Sequence, residues 1–63
     1  MFDITVFNID GQKILNGYLN SVPRFGEKII SNGNKFVVRD VFYDFGYGMH
    51  NNQIKVKIYV TEV

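Results

Sequence analysis

The chain has 63 residues and no cysteine, so it is one small domain without disulfides, and its one histidine, His50, cannot by itself build a metal cage. Its formal net charge of +1 argues against strong non-specific adhesion to nucleic acid, which depends on many cations neutralising phosphates. Stability must come from a dense core, for which 46% hydrophobic and 16% aromatic residues are available, or from burial of surface in an oligomer. A domain of this size cannot bury all ten aromatic rings, so we expect some of them at the surface.

The first 19 residues predict an amino-terminal hairpin. Residues 2–9 alternate well enough to form a strand, with Ile4 and Val6 facing the core. Asp10-Gly11 is a type I′ turn signal, and residues 12–19 return as the second strand. Asn16-Gly17 interrupts that strand and indicates either a bulge or a second turn.

A second hairpin is predicted in the middle of the chain. Asn32-Gly33 suits a type I′ turn, because both central positions of that turn need positive φ. The strand over residues 35–43 is rich in β-branched and aromatic residues, but strict alternation would divide its apolar side chains between two faces. A bulge at Arg39-Asp40 would return Phe36, Val38, Val41 and Tyr43 to one face, and a strand buried on both faces is the alternative.

The remaining segments are a connection, a loop and a last strand. Pro23 removes an amide donor, so residues 20–26 cannot be a central strand. Two glycines and two adjacent asparagines make residues 45–52 a predicted mobile loop. The last strand begins at Gln53 and ends at Val63, with alternate aliphatic residues on one face.

These elements predict an all-β fold. No segment has apolar residues at helical spacing for three turns, and the connections between the strands are short. Five strands in sequence predict an antiparallel meander, and an open sheet of this size would leave one apolar face wet. We therefore expect residues 1–63 to form one domain, a five-stranded antiparallel meander that closes into a small β-barrel.

The central segment resembles a known pattern. The run Val22-Pro23-Arg24-Phe25-Gly26-Glu27-Lys28-Ile29, followed by Gly33, Lys35-Phe36-Val37-Val38 and Val41, is similar to SH3-like small barrels. There a Pro-x-x-Gly-Asp/Glu turn opens a strand and an aromatic-x-Val-x-x-Val strand follows the next hairpin. Uncharacterised short proteins of phages and low-GC bacteria look similar. The resemblance covers about 20 of the 63 residues and implies an SH3-like fold; without tryptophan it does not imply recognition of proline-rich peptides.

Composition also predicts an origin and a location. Phe, Tyr, Met, Ile, Asn and Lys supply 31 of the 63 residues and Ala is absent, which indicates an AT-rich gene. Small reading frames of this kind are common in phages and mobile elements of low-GC hosts, and the chain looks like one complete frame. We find no membrane-spanning run and no signal peptide, and expect a cytoplasmic protein without membrane contact.

Catalysis is not expected. Glu27, Asp40, Asp44 and His50 are the candidate acid-base groups, and a small barrel has little room for a pocket that shifts a pKa. The chain has no nucleophile motif, no metal-ligand spacing and no phosphate-binding loop. We therefore predict a protein that is not an enzyme, with no catalytic residue, cofactor or metal.

An aromatic segment after the long strand is the first candidate interface. Five of the nine residues from Phe42 to His50 are aromatic or Met, and alternation can bury only some of them. The alternative is that Phe42 and Phe45 join the core while Tyr47 caps a barrel end. The predicted protein interface consists of Arg24, Phe25, Phe45, Tyr47, Met49 and His50.

A second candidate is a surface for single-stranded nucleic acid. Small barrels bind strands by stacking bases on exposed rings beside basic side chains. The candidate residues are Lys35, Arg39, Lys55, Lys57 and Tyr59. Alternatively, lysines on an edge strand prevent aggregation between sheets.

The sequence thus predicts a non-catalytic protein-binding module. Its partner is another protein or a second copy, and self-association would use the strand edge from Gln53 to Val63. For a phage gene, binding and blocking a host protein is the natural role. The alternatives are a single-stranded nucleic-acid-binding barrel and a small virion or scaffold component.

Overall fold

The computed structural model describes residues 1–45 and 54–63, and these residues form five β-strands. The all-β prediction is therefore confirmed for the described chain. In chain order the strands are β1 (Phe2–Asn8), β2 (Lys13–Leu19), β3 (Lys28–Ser31), β4 (Asn34–Asp44) and β5 (Ile54–Glu62).

The strands form one curled, open sheet in the order β2-β1-β5-β4-β3. β5 lies between β1 and β4, and it runs parallel to β1 and antiparallel to β4. The predicted closed antiparallel meander is wrong, because β2 and β3 follow each other in sequence but lie at opposite edges. The sheet is a half-barrel with mixed strand directions.

The core lies on one face of the three central strands. Six aliphatic side chains there are at most 2% exposed: Ile4, Val6, Val38, Val56, Ile58 and Val60. Half of them belong to β5, whose regular alternation suits a strand that is covered by a neighbour on each side. None of the described aromatic rings is fully buried, so the interior is aliphatic and the rings lie around it.

The central position of β5 corrects a second prediction. β5 pairs with β1 from Ile54 to Val60 and with β4 from Lys55 to Glu62. Its backbone groups are therefore engaged on both sides, and it offers no edge for self-association. Gln53, the first residue of the predicted edge, lies outside the described residues.

Residues 20–27 carry the chain from one edge of the sheet to the other. Eight extended residues reach about 26–29 Å, whereas five flat strands are about 19 Å across, so the crossing needs no helix. Val22 packs against the core during this crossing. The curl leaves an apolar cavity of about 160 Å³ between the crossing segment and β2, lined in part by Leu15, Leu19, Pro23 and Ile29.

Of the two predicted type I′ turns, one is confirmed. Asn32 has a φ of 51° and Gly33 a φ of 82°, as that turn requires. The β1–β2 turn is different, because the Gly11 amide donates to the Asn8 carbonyl at 3.0 Å and Asp10 does not have a positive φ. The Asn8 side-chain oxygen also accepts from the Asp10 and Gln12 amides, which favours this longer turn.

The predicted bulge in the long strand is confirmed. The β4–β5 register shifts between Val38 and Asp40, so Arg39 is the extra residue. As a result Val38, Val41 and Tyr43 lie opposite Val60, Ile58 and Val56, on the core face. β2 has a comparable irregularity, but it falls at Ile14 and not at Asn16-Gly17, which pair regularly with Thr5 and Ile4.

Candidate functional site

A tight turn between Arg24 and Glu27 holds an aromatic ring in solvent. The Glu27 amide donates to the Arg24 carbonyl at 3.0 Å, and Gly26 has a φ of 86°, which a side chain would strain. The Glu27 carboxylate accepts from the Arg24 amide. Two further backbone bonds of 2.9 Å join Gly26 and Glu27 to Val38 of β4. Phe25 is 70% exposed on this braced turn.

The turn borders a shallow hollow of about 410 Å³ against the bulged part of β4, which we call the Phe25 depression. Tyr43 of β4 also lines it and is 51% exposed. Because the bulge turns Val41 and Tyr43 to the same face, both can line the hollow. The lining residues are Pro23, Arg24, Phe25, Arg39, Asp40, Val41 and Tyr43. The depression thus combines two exposed rings with charged groups of both signs.

Three of the six residues predicted for a protein interface lie in the described part of the chain. Arg24 and Phe25 both line the Phe25 depression, and Phe45 is 55% exposed just beyond the end of β4. Tyr47, Met49 and His50 lie outside the described residues, so their part in the interface stays a prediction. Tyr43 and Val41 were missed, although the predicted bulge was a sufficient signal for placing them on one face.

The face of the sheet opposite the core, here called the outer face, carries three neighbouring rings. Phe7 in β1 and Tyr59 in β5 stack, with ring centroids 5.3 Å apart and planes 23° apart. Phe42 in β4 meets Tyr59 edge to face at 5.7 Å. Tyr59 therefore contacts a ring on each side. Phe42, at the end of the row, is 53% exposed. Phe7 and Phe42 could have been found from strand parity, once the bulge was placed.

All five predicted nucleic-acid-binding residues lie on the outer face. Three of them alternate with the buried residues of β5: Lys55, Lys57 and Tyr59. Lys35 lies on the same face of β4 as Val37, and Val37 pairs with Thr61 on the outer face of β5. Arg39 donates from Nε to the Thr61 hydroxyl at 3.1 Å. Because β5 is central, Lys55 and Lys57 are not edge-strand lysines, and the aggregation argument does not apply to them.

A side-chain network fixes one side of the outer face. The Asn16 Nδ2 lies 3.1 Å from an Asp3 carboxylate oxygen, 2.9 Å from the Ile4 carbonyl and 2.9 Å from the Thr5 hydroxyl. These bonds join β2 to β1 through a side chain as well as through the backbone ladder. Lys55 lies between Asp3 and Asp44 in the register, so carboxylates flank it on both sides.

Comparison of the chain with protein-family models, curated proteins and solved structures finds no significant match in any of the three. The likeness to SH3-like barrels and to phage proteins therefore stays a prediction. Within residues 1–45 and 54–63, no three His, Cys, Asp or Glu side chains are grouped so as to hold a metal ion. The described chain also has no helix that is long and apolar enough to cross a membrane.

Proposed function

We propose that the protein is a non-catalytic module that binds another protein through the Phe25 depression. The observation that carries the proposal is the Arg24–Glu27 turn. Phe25 is 70% exposed there, and hydrogen bonds hold the backbone before and after it. An exposed ring on a fixed backbone loses little entropy on binding, and such rings dominate protein interfaces.

The surroundings of Phe25 support the same proposal. Arg24, Arg39 and Asp40 surround the hollow, so an apolar contact with Phe25 and Tyr43 would be bordered by polar groups. An apolar centre with a polar rim is the usual anatomy of a protein interface. Phe45, just beyond the end of β4, is a further exposed ring. For a phage gene, the partner would be a host protein that this contact blocks.

Self-association remains part of the proposal in a changed form. The edges of the sheet in the described chain are β2 and β3, not β5. A second copy could add to either edge, because an edge strand presents unpaired amides and carbonyls. The solution mass separates this case: a stable dimer or larger oligomer would make the partner a second copy and would also favour a scaffold role.

The test uses Phe25→Ser with Ile9→Ser as the matched control. Ile9 is 68% exposed in the β1–β2 turn, so both variants remove a comparably exposed apolar side chain. Proteins from the cells that encode the chain are captured on each version, identified, and titrated singly. We expect a partner that binds the parent and Ile9→Ser alike but binds Phe25→Ser about 30-fold more weakly, as for an interface hot spot. Equal binding to all three versions would refute the proposed site.

A further inference from the structure

The outer face collects most of the positive charge of the molecule. Six of the seven Lys and Arg residues lie on it: register and strand alternation place the five lysines, and the hydrogen bond to Thr61 places Arg39. The six are Lys13, Lys28, Lys35, Arg39, Lys55 and Lys57. All six are exposed. The seventh, Arg24, lies in the turn beside the Phe25 depression.

The carboxylates are divided differently. Three of the six share the outer face, namely Asp3, Asp40 and Asp44. With six cations and three carboxylates, the outer face has a formal charge of +3. The rest of the chain has one cation and three carboxylates, and so a formal charge of −2. The two values restore the net charge of +1. A nearly neutral chain therefore has one face with a clear preference for anions.

The three rings lie near the centre of this face, and Asp40 and Asp44 flank Phe42 along β4. Phe7, Tyr59 and Phe42 follow one another across β1, β5 and β4. Tyr59 lies between its two neighbours and is only partly exposed, so the half-exposed ring of Phe42 is the one that offers most surface to a stacked base. Lys57 of β5 lies directly opposite Phe42 of β4 in the register. On its β1 side, Lys57 lies opposite Thr5.

We propose that the outer face binds single-stranded nucleic acid, with a base on Phe42 and phosphates beside Lys57 and its neighbouring cations. Exposed rings and cations on one sheet face are the two features that sequence-tolerant strand binding requires. An acidic protein would meet the same charge and the same ring, and the competition experiment below separates it from a nucleic-acid strand. The outer face and the Phe25 depression share Arg39 and Asp40, but Phe42 and Lys57 do not line the depression. Variants of Phe42 and Lys57 therefore test this proposal apart from the one made for Phe25.

The probe is a fluorescent oligo-dT of about 12 nucleotides, followed by anisotropy as the protein is titrated. With about three phosphates neutralised, the slope of log K against log salt should be close to −2. Affinity should then fall roughly 15- to 20-fold between about 50 and 200 mM salt. Failure to bind at about 100 μM protein in the lower salt, or a slope near zero, would overturn the proposal.

Two matched pairs of variants test the residues. Phe42→Leu keeps an apolar side chain but removes the ring, and we expect at least a fivefold loss of affinity, whereas Phe25→Leu should bind like the parent. Lys57→Gln should make the salt slope shallower by about 0.7, whereas Arg24→Gln should leave it unchanged. The site would be overturned if Phe42→Leu and Phe25→Leu lost the same affinity, or if Lys57→Gln and Arg24→Gln changed the salt slope equally. Displacement of oligo-dT by an equal charge of poly-glutamate would also overturn it, and would mark a surface for acidic proteins.

Discussion

Truncating Ile58 by one methyl group tests the core that holds both surfaces in place. Ile58 is fully buried in the central strand, where it lies opposite Val6 of β1 and Val41 of β4. A 63-residue domain has a free energy of unfolding of about 3 to 9 kcal/mol. Ile58→Ala would remove about 2 to 5 kcal/mol of it and could unfold the protein, so Ile58→Val is the better variant.

For Ile58→Val we expect a loss of about 0.5 to 1.5 kcal/mol, because one buried methyl group is removed and a small cavity is left. The assay is urea unfolding followed by circular dichroism. With a slope of about 1 kcal/mol per molar urea, the midpoint should fall by about 0.5 to 1.5 M. The control is Ile30→Val, since Ile30 is 69% exposed on β3 and its midpoint should hardly move. Equal midpoints for the two variants would refute a core centred on β5.

Two further predictions concern the turns and the outer face. Gly33→Ala should lower the free energy of unfolding by about 1 to 2 kcal/mol, because the φ of Gly33 is 82°. Gly17 does not have a positive φ and an added Cβ would meet no atom, so Gly17→Ala should change the free energy of unfolding by less than about 0.5 kcal/mol. Thermal unfolding checks both, and an equal shift would contradict the turn assignment. Asn16→Ala should cost about 1 kcal/mol by removing the bonds to β1, with the loss measured by urea unfolding. An unchanged midpoint for that variant would show that the network adds nothing to the backbone ladder.

Local features of the fold could be predicted because neighbouring residues encode them. Asn32-Gly33 specifies its turn through positive φ at both positions, and the two apolar phases of β4 can be reconciled by a bulge. The order of the strands has no such local signal. β1 and β5 pair although Phe2 and Ile54 are far apart in sequence, whereas sequence neighbours are the default expectation for pairing.

The candidate sites could be predicted to the same extent. Arg24 and Phe25 were found because the Pro-x-x-Gly-Glu turn is local, and Lys55 and Lys57 because β5 alternates strictly. The role of Lys57 as a neighbour of Phe42 depends on the β4–β5 register, which strand alternation alone does not provide. The Asp10-Gly11 turn was assigned wrongly because the same dipeptide fits two turn types, and the Asn8 side chain selects between them.

Amide hydrogen exchange of β5, measured by NMR, tests the strand order on which both proposed surfaces depend. In a central strand each amide donates to one neighbour or the other, so we expect five consecutive slow amides from Val56 to Val60. In an edge strand every second amide faces solvent. Fast exchange at alternate positions between Val56 and Val60 would contradict the central place of β5, and with it the shared outer face.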